Sequence, residues 1–467
     1  MNTYGRISAP RLATLLGSWR QGSRQGAAAL AAAVELQVLD GHLPVGTQLP
    51  AERELAQALG VSRTLIGAAL DRLRESGLVA SRRGAGSWIT PPGTSRGQET
   101  FFPRDGEDID LVCAAPPAVP GITRAVDAAR GALVEQLGHT GYGERGLLVL
   151  RERIAQRYTE RGLPTSPAQI MITNGAHHAF GLTVRMLANP GDRVLVDQPT
   201  YPNALEAIRG AHALPVPVAL DAEGWDFAGI EAALRQAAPR LAYLIVDFHN
   251  PTGLLMDDEG RERLAALLTK ARTPVVIDET LVELDFGDEP APKPFDAGEW
   301  SILVGSASKS HWGGLRLGWI RASEEVLSRL SSSRFGLDLG SPVFEQLVLA
   351  ELLADPEPLR RRREDVRRQR DALAQAVRTH CPEWTFRLPG GGFWLWCKLP
   401  APMSTGLAVA AASHGVQLAP GSRFAAHGGL ERRLRLPFSQ PPEVLDEAVR
   451  RISLAAAAVR GSARPVT

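Results

Sequence analysis

Short apolar segments alternate with helical segments from about Ile109 to the C-terminus, and this alternation limits the possible folds more than any other feature of the chain. The segments are four to six residues long and mostly apolar, which is typical of strands buried on both faces of a mainly parallel sheet. The predicted strands are residues 170–173, 193–196, 241–246, 274–278 and 301–305. Open α/β sheets bind ligands at the carboxyl ends of their strands. We therefore predict an α/β domain with helices on both faces of its sheet and a ligand site at that edge.

Lys309 is the most reactive candidate among the four lysines of the chain. It follows predicted strand 301–305 in the segment SASKS, and Arg316 comes soon after. Such an amine can form a Schiff base with a phosphorylated aldehyde, while the hydroxyl groups of Ser306 and Ser308 and the guanidinium of Arg316 can hold the phosphate. The other lysines lie at a helix end, in a Pro-rich loop and before a Leu-Pro pair. If the chain binds pyridoxal phosphate (PLP), we expect Lys309 to carry it.

Two other predicted strand ends suit the same cofactor. Asn250, in the segment HNPTG, could donate to the phenolic oxygen of a bound pyridoxal. Asp278 ends the segment VVID, and a carboxylate beside the pyridine nitrogen keeps that nitrogen protonated. Asp278 alone would more often cap a helix or make a hydrogen bond in the core. Its position after Asn250 and before Lys309 favours the cofactor role.

The segment TNGAHH, residues 173–178, joins a predicted strand to a helix that continues to Met186. Free backbone N–H groups at the start of a helix suit a phosphate, although most such turns bind nothing. His177 and His178 are adjacent and lack the i,i+4 spacing of a helical metal pair. We predict a phosphate contact here and no metal site.

The N-terminal part of the chain is more basic than the rest. Residues 1–96 contain 11 arginines and six acidic residues, whereas the whole chain has a formal net charge of +1. A small basic domain joined to a mildly acidic body suggests that the N-terminus contacts a polyanion, although many solvated domains are equally basic.

A helix-turn-helix pattern lies in this basic part. Residues 26–39 predict an Ala-rich helix, and Pro50 followed by Ala-Glu-Arg-Glu predicts the start of another. Residues 60–62 predict a tight turn with Ser62 as the N-cap of a helix from Arg63 to about Ser76. Residues 77–89 have the pattern of a strand, a glycine turn and a second strand, which predicts a hairpin wing. The helix after the turn is the one that enters the DNA major groove.

The segments PVGTQLPAERELA (44–56) and LGVSRT (59–64), together with the wing, resemble the winged helix of GntR-type transcription regulators. The resemblance implies that double-stranded DNA is contacted by Arg53, Arg63, Thr64, Arg83 and Gly84. Each arginine could clamp phosphate or contact guanine. The alternative is that Arg53 and Arg63 only solvate helix surfaces. Gly67 departs from the pattern, because relatives often have a longer polar side chain there.

The order Asn250, Asp278, Lys309, Arg316 on successive strand ends resembles the fold-type I aminotransferases, over nearly everything from residue 109 onward. The resemblance implies a phosphate cup formed by Gly175, Ala176, His177, Ser306, Ser308 and Arg316. It implies that Tyr201 stacks on the pyridine ring and that Tyr142 reaches the phosphate of a partner subunit, hence a homodimer. It also implies that Arg435 pairs with a substrate carboxylate.

The chain departs from this family at one informative place. Relatives usually carry a tyrosine two or three residues after the aspartate, where it donates to the phenolate oxygen of the ring. Those positions are Thr280 and Leu281 here. Thr280 could act as a substitute donor, whereas Leu281 cannot. We therefore expect cofactor binding without efficient transamination.

A GntR-like winged helix joined to an aminotransferase-like body resembles the MocR family of bacterial regulators. The predicted fold is an N-terminal winged helix-turn-helix (α+β) at residues 12–90, a linker at 91–108, and an α/β PLP-dependent transferase domain of fold type I at 109–462. The last of these would include a small α+β C-terminal subdomain. The predicted function is DNA-binding transcription regulation, in which the body senses PLP or a small amino compound through an aldimine.

Two alternatives remain open. One is an active aminotransferase of amino-acid-like substrates with an appended DNA-binding domain. The other is a regulator whose body no longer binds PLP.

Cys113, Cys381 and Cys397 form an odd, scattered set that fits neither a disulfide framework nor a metal cluster. With no apolar run near the roughly 18 residues of a membrane span and no signal-peptide pattern, we expect a cytoplasmic protein without a membrane partner.

Overall fold

A computed structural model describes residues 5–17, 19, 26–39, 42–44, 46–75, 78–82, 86–90, 108–221, 223–287 and 291–461. These residues divide into two compact units. The first unit comprises Met1–Ala114, Asp371–Arg387 and Leu395–Thr467, and the second comprises Ala115–Arg370 and Leu388–Trp394. Most of the predicted linker, at 91–107, lies outside the described residues.

The helices and strands are numbered along the chain. The helices are α1 (Ala9–Leu16), α2 (Gly26–Leu39), α3 (Glu52–Leu59), α4 (Arg63–Glu75), α5 (Ile122–Gln136), α6 (Leu148–Glu160), α7 (Ala176–Leu187), α8 (Pro202–Gly210), α9 (Phe227–Ala237), α10 (Asp258–Ala271), α11 (Glu324–Arg334), α12 (Val343–Ala354), α13 (Glu357–His380), α14 (Ser404–Ala412) and α15 (Pro442–Gly461). The strands are β1 (Val79–Arg82), β2 (Gly86–Ile89), β3 (Ile109–Leu111), β4 (Ile170–Thr173), β5 (Arg193–Gln198), β6 (Leu214–Ala219), β7 (Leu241–Leu244), β8 (Val275–Asp278), β9 (Ser301–Ser306), β10 (Gly318–Arg321), β11 (Trp394–Lys398), β12 (Val416–Pro420) and β13 (Arg433–Pro437).

The second unit is built on a seven-stranded sheet in the order β4-β10-β9-β8-β7-β5-β6. The pairs from β9 to β6 are all parallel, and β10 is antiparallel to both of its neighbours. All five predicted strands are present, so the prediction of a mainly parallel sheet is confirmed. Two strands were not predicted: β10, inside the sheet, and β6, at its edge.

Helices cover both faces of this sheet. One face carries Ala242, Leu244 and Ile277 into a core shared with α5, α6, α9, α10 and α12. Residues with the alternate orientation face the other side, where the ring of Tyr243 lies 4.4 Å from that of Phe180 on α7. Because strand side chains alternate between faces, Asp278 faces the α7 side together with Val276.

The first unit contains the winged helix. Helices α1 to α4 and the antiparallel hairpin of β1 and β2 share one hydrophobic core. Gly60 adopts a left-handed conformation, with φ +62°, that ends α3. The Ser62 Oγ accepts a hydrogen bond from the Leu65 backbone N–H at 3.2 Å, which confirms Ser62 as the N-cap of α4. Helix α1 begins at Ala9, three residues before the predicted start of this domain at residue 12.

The first unit also contains the small C-terminal subdomain. Its four-stranded sheet has the order β11-β13-β12-β3, in which β3 pairs with β12 in parallel. Helix α14 packs against α15 and β12. Trp394 and Trp396 lie on β11.

Candidate cofactor site and DNA-binding surface

The strand order brings the predicted cofactor residues to one edge of the sheet. Because β10 runs opposite to both β4 and β9, these two strands point in the same direction as β8, β7 and β5. Their carboxyl ends therefore share an edge. The residues at or just beyond those ends, in the order of the strands, are Gly175, Lys309, Asp278, Asn250 and Tyr201.

Lys309 lies in a short π-helical turn, Ser308–Trp312, just beyond β9, and its side chain is half-buried. The Ser306 Oγ donates to the Ser308 Oγ at 2.9 Å and accepts from the Ser308 backbone N–H at 3.2 Å. These two hydrogen bonds order the chain between the end of β9 and Lys309. Both serines lie within three residues of Lys309 in the chain.

A buried polar cluster supports the same turn. The Ser310 Oγ lies 2.9 Å from the His311 Nδ1, and both residues are 1% exposed. Burial lowers the pKa of His311 to about 4, with the Glu283 carboxylate opposing the shift. Burial would raise the pKa of Glu283, but the charges of Arg157 and His311 outweigh it and lower the pKa to about 2. This cluster was not predicted from the sequence.

Each oxygen of the Asp278 carboxylate accepts a hydrogen bond. The Tyr243 hydroxyl donates to Oδ2 at 2.6 Å, and the Thr280 backbone N–H donates to Oδ1 at 2.9 Å. Tyr243 is 1% exposed, and burial, followed by the charge of Asp278, raises its pKa well above the usual value. Tyr243 was missed from the sequence, although a tyrosine inside an apolar strand beside β8 was a usable signal. Leu281 is buried at 3% exposure and offers no donor.

Asn250 is 7% exposed and follows β7 in a tight turn. The Gly253 backbone N–H donates to the His249 carbonyl at 2.7 Å, and the His249 Nδ1 lies 3.0 Å from the Thr252 Oγ1. Among the described residues, the Asn250 Oδ1 has no hydrogen-bond partner. This oxygen can accept a hydrogen bond from a ligand, whereas the donor role predicted for Asn250 would use its Nδ2.

The start of α7 is the part of this sheet edge where a phosphate contact was predicted. Gly175, at φ +96°, precedes this helix and leaves its first N–H groups pointing outward. The Arg316 Nη2 donates to the Asn174 carbonyl at 3.3 Å, and a Cβ on Gly175 would lie 3.4 Å from the same nitrogen. Burial and the charge of Arg316 lower the pKa of His177, while Asp278 opposes the shift. Arg316 therefore lies beside the start of α7.

A second polar cluster, also missed from the sequence, holds the segment before α7. Arg334 is 0% exposed and pairs with Asp338. The Asn174 Nδ2 donates to the Asp338 Oδ2 at 3.0 Å, and the His178 Nε2 lies 3.3 Å from that oxygen. Burial would raise the pKa of Asp338, but the hydrogen bond from Arg334 outweighs it and lowers the pKa.

These residues fit PLP. They supply an amine, a carboxylate held by two donors, a buried amide, and a cup that combines backbone N–H groups with a guanidinium. When bound, PLP supplies an aldehyde for an amine and a ring that withdraws electrons. In this arrangement Asp278 would hold the ring nitrogen, Arg316 would hold the phosphate, and Lys309 would supply the amine.

Two further predicted residues, Tyr142 and Arg435, do not belong to the strand ends described above. Tyr142 is 74% exposed, and its described contacts do not reach the phosphate cup of its own subunit. Arg435 lies on β13 in the first unit, where its guanidinium donates to the Val112 carbonyl and sits 4.9 Å from the centre of the Phe424 ring. Within the described part of the chain, no group of three His, Cys, Asp or Glu side chains could hold a metal ion.

The predicted DNA contacts lie on the winged helix. Arg53 is the second residue of α3, Arg63 and Thr64 open α4, and all three are exposed. Arg83 and Gly84 lie outside the described residues.

In the described chain, no helix is both long enough and apolar enough to cross a membrane.

Residues 120–452 match the family of class I and II aminotransferases, and residues 27–89 match the gntR family of bacterial regulatory proteins. The chain is 28% identical to the HTH-type transcriptional regulator YdfD of Bacillus subtilis, over 87% of this chain and 91% of that protein. It is 34% identical to a 2-aminoadipate transaminase of Thermus thermophilus, over 62% of this chain and 75% of that one.

Among solved structures, LysN, the α-aminoadipate aminotransferase of Thermus thermophilus, has a TM-score of 0.70 and 30% identity. The match covers 76% of this chain and 93% of LysN, which was solved with N-(5'-phosphopyridoxyl)-L-leucine. The family and this neighbour imply PLP as the cofactor, as predicted. The chain therefore belongs to the class I and II aminotransferase family and carries an N-terminal helix-turn-helix of the gntR family, which is the MocR-type architecture.

Proposed function

We propose that this protein is a cytoplasmic, homodimeric transcription regulator that binds operator DNA through its winged helix. Its aminotransferase-like body senses PLP, or a small amino compound joined to PLP, through a Schiff base at Lys309. One feature carries the proposal. The cofactor edge, which is the sheet edge where Gly175, Lys309, Asp278, Asn250 and Tyr201 lie, belongs to the same chain as a helix-turn-helix whose Arg53 and Arg63 are exposed.

Position 281 favours sensing over turnover. A phenol there would donate to the ring phenolate, but the chain has a buried leucine. Asn250 is then the main donor expected at that oxygen, with the Thr280 hydroxyl as a second candidate donor. An active aminotransferase is the second candidate, and the 34% identity to a 2-aminoadipate transaminase supports it. Sustained release of a keto acid would distinguish the two.

An exposed apolar patch supports the homodimer. The Gly143 backbone N–H donates to the Leu339 carbonyl at 3.2 Å, which brings the segments around residues 142 and 339 together. The apolar side chains exposed in and near these segments are Val134, Leu137, Tyr142, Phe335, Leu337 and Leu339. Soluble monomers rarely expose so many large apolar groups in neighbouring segments, so we propose that a second copy covers them. Tyr142 would then face the partner's phosphate cup.

Arg435 is the proposed anchor for an effector carboxylate. It is 7% exposed, and the Phe424 ring supports one face of its guanidinium. Such a planar, fixed guanidinium suits bidentate pairing with a carboxylate. This role predicts that effectors are amino acids or related amino carboxylates.

Ligand-dependent DNA binding tests the proposal. A labelled duplex selected from a random library would be titrated with the full-length protein, with and without PLP, and then with PLP and each common amino acid. We expect at least one addition to change the DNA dissociation constant by about fivefold or more, which is typical of allosteric coupling. Such a change requires that the ligand bind one arrangement of the protein more tightly than another, because equal binding to both would shift neither population.

Lys309→Ala is the control. It should bind the duplex like the wild type without ligand and show no response to the additions. A response of equal size in both proteins, or none in either, would contradict the sensor role. Steady keto-acid production by the wild type would support the aminotransferase instead.

A further inference from the structure

Asp278 is held at both oxygens by neighbouring groups. The Tyr243 O–H donates to one oxygen at 2.6 Å and the Thr280 backbone N–H to the other at 2.9 Å. Hydrogen bonds from a hydroxyl to a carboxylate are short and directional. One hydroxyl donor and one backbone N–H donor, on different oxygens, fix both the position and the rotation of the carboxylate plane. Thr280 follows in the chain, whereas Tyr243 reaches Asp278 from the neighbouring strand.

Tyr243 is itself tightly held. It pairs with Val276 across β7 and β8, is 1% exposed, and packs its ring 4.4 Å from the Phe180 ring. Phe180 lies on α7, whose first turn follows Gly175 and forms the predicted phosphate cup. One side chain therefore contacts both the carboxylate at the ring end and the helix at the phosphate end of the cofactor edge.

We propose that Tyr243 is a positioning residue that sets Asp278 against the pyridine nitrogen of PLP, at a separation from the phosphate cup fixed by its packing on Phe180. The proposal rests on the proposed cofactor site at Lys309 and adds a residue to it.

A neutral donor suits this task better than a cation. An arginine or lysine at position 243 would pair with Asp278 and cancel the charge that holds a protonated ring nitrogen. A phenol fixes the geometry and leaves the negative charge in place. Burial raises the pKa of Tyr243 well above its usual value, so the hydroxyl keeps its proton near neutral pH.

The chain offers a closely matched control. The Tyr158 hydroxyl donates to the Glu279 Oε2 at 2.6 Å, so the residue after Asp278 has the same type of hydrogen bond. Glu279 points to the opposite face of the sheet, because neighbouring strand residues alternate, and it also pairs with Arg161 at 3.1 Å. Replacing Tyr158 removes an equivalent hydroxyl without touching the cofactor edge.

The test compares PLP with its 1-deaza analogue, in which carbon replaces the ring nitrogen. Dissociation constants of both compounds would be measured by equilibrium dialysis for the full-length wild type, Tyr243→Phe, Tyr158→Phe and Asp278→Asn. Loss of a hydrogen bond to a charged group predicts PLP binding about tenfold weaker in Tyr243→Phe. Binding of the deaza compound should change by less than about twofold, since it has no nitrogen for Asp278 to hold.

Asp278→Asn should remove most of the preference for PLP, and Tyr158→Phe should leave both constants unchanged. Tyr243→Phe retains the ring that packs on Phe180, and matching thermal unfolding midpoints of the apoproteins would confirm intact packing. Equal weakening of both compounds in Tyr243→Phe, or no weakening of either, would overturn the positioning role while leaving the cofactor site intact. Failure of the wild type to bind PLP at all would overturn the proposed function together with this role.

Discussion

His311 should make the free energy of unfolding decrease between pH 7 and pH 5. Burial lowers its pKa from 6.5 to about 4, so the folded protein resists a proton that the unfolded chain accepts. A lowered pKa means that the full stability is present above pH 6.5 and is lost as the pH falls toward 4. From pH 7 to pH 5, the loss due to this one group is about 2 kcal/mol. His311 lies two residues after Lys309, so acid should loosen the turn that carries the reactive amine.

Urea unfolding of the apoprotein at both pH values measures this loss. His311→Asn is the informative variant, because an asparagine amide can donate to or accept from the Ser310 hydroxyl, which now lies 2.9 Å from the His311 Nδ1, and it does not titrate. Its free energy of unfolding should decrease by about 2 kcal/mol less than that of the wild type. His139→Asn, at an exposed position, should behave like the wild type. An identical pH dependence in the wild type and His311→Asn would refute the reasoning.

Three further changes test other parts of the molecule. Arg63→Ala should weaken binding of the selected duplex about tenfold in fluorescence anisotropy, since one phosphate or base contact is lost, and unchanged affinity would remove Arg63 from the interface. Gly318→Ala would place a Cβ 2.6 Å from the Gly175 carbonyl carbon, so we expect a loss of about 1–3 kcal/mol in urea unfolding and weaker PLP binding. Leu281→Tyr supplies the missing phenol. It should raise the rate of keto-acid release about tenfold, because one hydrogen bond to a charged oxygen has about that effect on a rate. No increase would mean that position 281 does not limit turnover.

Local sequence patterns were sufficient for the main elements of the fold. The apolar strands that end at Thr173 and Asp278 were predicted because each is followed by turn-forming or polar residues. The turn at Gly60 and the cap at Ser62 likewise follow from short-range chemistry. Because parallel strands end at one edge, the placement of Lys309, Asp278 and Asn250 together could be inferred without any contact information.

The missed elements depend on contacts between distant segments. Strand β6 contains two prolines, Pro215 and Pro217, which argue against a strand unless it lies at an edge, and only the sheet order shows that it does. The bond from Tyr243 to Asp278 joins residues 35 positions apart. The bond from Asn174 to Asp338 spans 164 positions. In these cases, residue type indicates a polar group that needs a partner but does not identify the partner.

The visible absorbance spectrum of the purified protein with added PLP, before and after borohydride, tests the central claim most directly. We predict a yellow protein that bleaches on reduction, with the reduced pyridoxyl adduct found by mass spectrometry on the peptide that contains Lys309. A protein that stays colourless with added PLP would contradict the claim. So would an adduct confined to Lys270, Lys293 or Lys398.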